Sequence, residues 1–266
     1  MRHSTTFLMS LIVASILVLM FLNLVLGSVS IPLKSVWNII CGLGDEPVTW
    51  QNIVWKSRLP QALTALVAGA GLAISGLQMQ TVFRNPLAGP SVLGISSGAS
   101  MGVAFVVLLS GSLGGVALSK LGFMGEIALS IAAVIGSLSV MALIVYVSQK
   151  VKGNVTLLII GVMIGYVANA VIGVLKFFSV EEDIRAYVIW GLGSFSRVSG
   201  NQMMLFVAIM AILIPLSFLL IKTLNLMLLG DGYARNLGLN IKRARLLVIT
   251  SAGVLTAIVT ARSEEH

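Results

Sequence analysis

Seven apolar runs dominate this chain, at roughly 7–27, 60–82, 92–110, 126–149, 156–178, 202–222 and 246–261, and none carries a charged residue in its middle. Each is near the ~20 residues that a helix needs to cross about 30 Å of hydrocarbon. In lipid every backbone N–H and C=O must find its partner within the protein, so such runs fold as helices. Only 10% of the 266 residues are charged and 58% are hydrophobic, whereas a soluble domain carries about 25% charged residues. The expectation is an all-α polytopic transmembrane bundle, one domain over 1–266.

Several function classes drop out. The net charge of +8 is spread along the chain rather than gathered with aromatics, so no nucleic-acid partner is expected. Cys41 is the only cysteine, and the two histidines, His3 and His266, lie at the termini. No disulfide, metal centre or cofactor site is expected from them. There is no G-x-x-x-x-G-K-[ST], no Ser/His/Asp arrangement and no H-E-x-x-H, so the chain is not read as an enzyme and binds no ATP through a P-loop of its own. Charge-free spans argue against a proton-coupled carrier, whose pathway needs ionisable groups in the membrane. Met1–Gly27 starts with Arg2 ahead of an apolar core, but that core is about 20 residues long and lacks an A-x-A-like site, so it reads as a first membrane helix rather than a signal peptide.

Loop charges orient the bundle weakly. With the N-terminus inside, Lys and Arg divide nine inside to eight outside, which hardly decides. The cluster Lys242-Arg243-Arg245 directly abuts the seventh run and favours a cytoplasmic N-terminus. The loop over about 28–59 holds Trp37, Trp50 and Trp55, which suits an interfacial amphipathic segment against lipid. A second interfacial helix is expected around 182–191.

The stretch Arg58–Ser100 carries the most information. Pro86 and Pro90 break it inside Arg84-Asn85-Pro86-Leu87-Ala88-Gly89-Pro90, each removing a donor and biasing the preceding residue away from helix. Small residues recur at i+4 on both sides, Ala65/Gly69/Ala73 before the break and Gly94/Gly98/Gly102 after it, spacing that lets helices approach closely in lipid. Uncharged polar residues remain in or beside the runs: Gln78, Gln80, Asn85 and Asn169. Asn169 belongs to the stripe Gly161, Gly165, Asn169, Gly173, which either packs helices or faces a wide pathway. Further on, Asp231–Leu239 reads as a short helix with Asp231 as N-cap and Gly238 just past its end. With Tyr233, Ala234 and Leu237 on related faces, it is a shape that docks in a partner's groove, or an ordinary solvated connector.

Taken together, these motifs resemble a known family. The pattern R-x-P, then L-x-A-L-x-x-G-A-x-L-A-x-S-G-x-x-x-Q, then R-N-P-L-A-x-P-x-x-L-G-x-x-x-G-A spans Arg58 to Ala99. Trp190-Gly191-Leu192-Gly193-Ser194 and the Leu229–Gly238 segment follow in the same order. The chain resembles the FecCD-type permeases of ABC importers, which move iron(III)–siderophore complexes, haem or cobalamin across the bacterial inner membrane. The resemblance implies a homodimer or paired permease subunit, two ATP-binding subunits and an external binding protein.

Roles are implied position by position. Arg58 matches an arginine that docks the binding protein; Gln61 stands where a second arginine is usual, and whether Lys56 takes its place as a docking residue stays open. Asn85, Pro86, Leu87 and Pro90 match a hinge at the cytoplasmic gate, and Asn154–Thr156 fall near a second gate. Asp231, Tyr233, Ala234, Arg235, Leu237 and Gly238 match the coupling helix that sits in an ATPase cleft. Gln78, Gly161, Gly165 and Asn169 remain pathway or packing residues. Such permeases have about ten helices and a G-P-I-G-F-x-G segment after the last run seen here, so the resemblance implies that about three helices are missing. A non-functional truncated permease and a non-ABC ion-driven carrier or channel stay open as alternatives.

Overall fold

The computed structural model describes residues 2–43, 46–112, 123–151, 154–195 and 200–263. Every regular element among them is helical. Among the described residues, five helices are long and apolar enough to cross a membrane. They lie in α1 (Arg2–Val25), α4 (Leu59–Phe83, continuous with the helical turns from Val48), α6 (Phe123–Lys150), α7 (Asn154–Phe177) and α12 (Ile241–Ser263).

Two of the seven expected spans differ in form. The run at 202–222 becomes a pair, α9 (Gly200–Phe218) and α10 (Ile221–Leu228), bent by 46°. Pro215 lies inside α9, where the missing N–H loosens the last turns before the bend. The run at 92–110 begins as a 3₁₀ turn, Pro90–Leu93, and only then becomes α5 (Ile95–Ser112). Gly94 joins them at φ +70°, a left-handed conformation that glycine takes without a Cβ penalty. The apolar part of α5, Ile95–Leu109, is shorter than the other spans.

The chain forms two compact units, with boundaries inside α4 and α9. Unit 1 comprises 1–67 and 195–208. It gathers α1, the short α2 (Leu33–Cys41) and α3 (Val48–Ile53), a π-type turn over Val54–Arg58 and the start of α4. Leu24, Ile31, Val36, Ile39, Val54 and Ala62 make its apolar core. Trp37 and Trp55 stay exposed, in keeping with an interfacial segment.

Unit 2 comprises 68–194 and 209–266. Its core has two parts. One joins α4, the Pro90–Leu93 turn, α6, α10 and α12 around Met79, Leu93, Ile144, Met227 and Val248. The other joins α5, α6, α7 and the short α8 (Glu181–Gly191), the expected interfacial helix, around Val103, Ala133, Ile172 and Trp190.

Small residues decide how closely these helices approach. A Cβ on Gly102 would lie 2.2 Å from the carbonyl oxygen of Ala132 in α6. On the stripe before the hinge the outcome is different. An added Cβ at Gly69 meets nothing within 4 Å, so that face is not used for packing as Gly98 and Gly102 are. A polar seam holds α4 to α12: Ser75 Oγ donates to the Ala252 carbonyl at 3.0 Å and lies 2.8 Å from Thr256 Oγ1.

Candidate functional site

In unit 1, Arg58 ends the π-type turn and is buried. Its Nη1 donates to the carbonyls of Leu24 and Val25, both at 2.7 Å, and its Nη2 donates to that of Val29. These groups close the C-terminus of α1, where carbonyls lack helical partners and the dipole favours a cation. Gly27 makes room, since a Cβ there would come within 2.8 Å of Nη2. This corrects the expectation of a surface arginine: the guanidinium is spent inside unit 1. Lys56 is exposed on the same turn, and Gln61 Nε2 donates to Ser57 Oγ at 3.0 Å.

At the hinge of unit 2, Arg84 has φ +49° and is the one non-glycine residue with positive φ among those described. The chain then turns on its own polar groups. Asn85 Oδ1 accepts from the Leu87 N–H at 2.9 Å, and the Asn85 carbonyl accepts from Ala88 N–H at 3.0 Å. This is an Asx-type turn, the local conformation that Asn favours. Ala88 is buried in the core while Leu87 is 87% exposed. Pro86 is exposed, and Pro90 opens the 3₁₀ turn.

Next to the hinge lies α11 (Asp231–Asn236). Here Gly230, at φ +105°, is the N-cap, and Asp231 is the first helical residue. The N-cap expectation fails because the carboxylate points elsewhere: Oδ1 pairs with Arg84 Nη2, and Oδ2 lies 3.7 Å from Arg245 Nη2. The helix ends as expected at Gly238, φ +85°. Leu239 N–H reaches the Ala234 carbonyl and Gly238 N–H the Arg235 carbonyl, both at 3.0 Å, a Schellman closure. Ala234 is buried, whereas Tyr233, Leu237, Leu228 and Leu229 are exposed and Arg235 stands among them. Sequence reasoning missed Leu228 and Leu229 as part of this apolar surface, because they fall between the apolar run at 202–222 and the motif at 231–239.

The stripe on α7 divides. A Cβ on Gly161 would meet the Val92 carbonyl oxygen at 2.9 Å, and one on Gly94 would meet the Gly161 oxygen at 3.0 Å and Gly165 N at 3.2 Å. Gly161 and Gly165 are therefore packing positions. Asn169 is exposed and lines a cavity of about 500 Å³ with Ser96, Ser97, Ser100, Lys176 and Tyr187. Lys176 Nζ stands 4.8 Å from the Tyr187 ring centroid, a cation–π distance. Burial raises the Tyr187 pKa, and a hydrogen bond with Ser100 partly offsets this. Gln78 belongs to the α4–α12 seam, its Nε2 donating to Ser251 Oγ at 3.2 Å. Asn154 starts α7, and Thr156 lies in its first turn.

A sequence profile of the FecCD transport family matches residues 15–263. The chain belongs to the FecCD transport family. Among relatives of this FecCD chain is the hemin transport system permease protein HmuU of Yersinia pestis, 33% identical over 90% of this chain and 68% of that protein. Another is the vitamin B12 import system permease protein BtuC of Serratia proteamaculans, 35% identical over 78% of this chain and 59% of that one. The fold is similar to a solved structure of a metal-chelate type ABC transporter in an inward-facing conformation. That match has TM-score 0.74 and 27% identity, covering 93% of this chain and 73% of the other. The chain thus spans between 59% and 68% of the length of these two relatives.

Proposed function

We propose that this chain is the transmembrane permease subunit of an ABC importer for a metal chelate of the iron–siderophore, haem or cobalamin class. It works in the bacterial inner membrane with its N-terminus in the cytoplasm. The observation that carries the reading is the surface around α11. A short helix, closed at its end by Gly238, presents Tyr233 and Leu237 beside Leu228 and Leu229 next to the hinge. Exposed apolar side chains grouped in this way suit burial in a partner's groove, and an ATP-binding subunit is that partner.

Family membership supports the rest of the assembly. A paired permease subunit, two ATP-binding subunits and an external binding protein complete the importer. Lys56, exposed near Trp55, is the docking cation for the binding protein. Arg58 supports that surface from within by holding the end of α1. Asn85, Pro86, Leu87 and Pro90 form the hinge of one gate, with Asn154–Thr156 at a second. The serine-lined cavity at Asn169 contributes to the pathway, where Lys176 is the one charged group among the described lining residues.

The test is reconstitution in proteoliposomes with the ATP-binding subunit and the binding protein. ATP-dependent accumulation of a labelled ferric siderophore, haem or cobalamin is the predicted result. An electrochemical gradient driving uptake without ATP would contradict it.

A further inference from the structure

We propose that Asp231 is a two-position link between α11 and the hinge, its carboxylate held by Arg84 in this structure and taken by Arg245 when α11 shifts. The proposal rests on the reading of α11 as the ATPase-docking helix. Arg84 follows α4 in a left-handed conformation, and its side chain reaches residues far along the chain. One guanidinium nitrogen, Nη2, meets both the Met227 carbonyl, at 3.3 Å, and Asp231 Oδ1. A single side chain of the hinge therefore grips the end of α10 and the start of α11.

Arg245, on the first turns of α12, supplies the second position. It is buried, and its Nε has no hydrogen-bond partner among the described residues. Its Nη2 faces Asp231 Oδ2 at 3.7 Å, beyond hydrogen-bond length. A buried guanidinium with an open donor is costly, and here it stands beside a carboxylate engaged elsewhere. Moving that carboxylate by about 1 Å would bring Oδ2 within hydrogen-bond length of Arg245 Nη2 and loosen Arg84. Two discrete pairings of one acid are the kind of bistable contact that turns a small displacement into a switch. Ala88 of the hinge, Met227 and Ala244 belong to one apolar cluster, so these elements form a packed platform for the exchange.

The link is tested on the full chain with Cys41→Ser and a spin label on Leu87→Cys, an 87% exposed position. Asp231→Asn and Arg84→Gln should each raise the mobile-to-immobile ratio of the label by about fivefold, the upper end for a partly exposed ion pair. Asp231→Glu, which keeps the charge and serves as the folding control, should leave it unchanged, as should Arg245→Gln. In the complex assembled with its ATP-binding subunits, Arg84→Gln and Arg245→Gln should retain those subunits, while Arg245→Gln should lower cargo moved per ATP hydrolysed. An unchanged label in Asp231→Asn and Arg84→Gln, or an equal response to Arg245→Gln, overturns the link. So does unaltered transport per ATP. Failure of the unmodified chain to hold any ATP-binding subunit overturns the importer reading instead, and the label measurement still decides the pairing.

Discussion

Gly98 of α5 and Gly136 of α6 face each other so closely that a Cβ on Gly136 would stand 2.1 Å from the Gly98 carbonyl oxygen, and one on Gly98 2.7 Å from the Gly136 oxygen. Neither contact can be relieved by turning a flexible side chain, because both obstacles are backbone. Close packing of this kind replaces the hydrophobic drive that lipid does not supply.

Gly136→Ala should therefore destabilise the chain by about 1–3 kcal/mol, the usual cost of overpacking. Gly69→Ala, with open space around the new methyl, should be neutral or stabilising through helix propensity. Thermal unfolding of the two variants in the same detergent separates these outcomes.

Arg58→Met should act on stability rather than on docking. It removes the donors to the Leu24, Val25 and Val29 carbonyls, at about 1–3 kcal/mol for acceptors left unsatisfied. Lys56→Glu should leave the melting temperature unchanged but slow association with the binding protein, most visibly at low salt. Thermal unfolding and association kinetics on both variants check the division.

Most of the bundle was legible from one-dimensional patterning. The long helices α1, α4, α6, α7 and α12 follow from apolar run length, whereas run length gives no sign of the 3₁₀ start of the third run, which ends at Gly94 with φ +70°. The bend between α9 and α10 was signalled by Pro215 but hidden by an uninterrupted apolar run. Side-chain partners were not legible. The use of Arg58 depends on carbonyls 29 to 34 positions away. The orientation of Asp231 depends on an arginine 147 positions away, which outcompetes the local capping bond that the sequence suggests. The glycine stripe on α7 divided between packing and cavity because its faces meet different neighbours, which spacing alone does not encode.

Tyr187 should remain protonated above its ordinary range, since burial raises its pKa more than the Ser100 hydrogen bond lowers it. The sign follows from proton linkage. Between the unfolded pKa near 10 and the raised folded value, the folded chain binds more protons than the unfolded one, so its stability falls as pH rises through that window. Tyr187→Phe should flatten the alkaline part of a stability–pH curve, measured by thermal unfolding from pH 9 upward.

The exposed surface of α11 offers the most direct test of ATPase docking. Affinity capture of the detergent-solubilised chain, co-expressed with the ATP-binding subunit of the same importer, should retain that subunit. Tyr233→Asp combined with Leu237→Asp should weaken retention by about thirtyfold, the loss expected from disrupting one interface hot spot. Both side chains are exposed, so the folded chain should be unaffected. An unmodified chain that captures no ATP-binding subunit, or a folded double variant that captures it undiminished, would contradict the central claim.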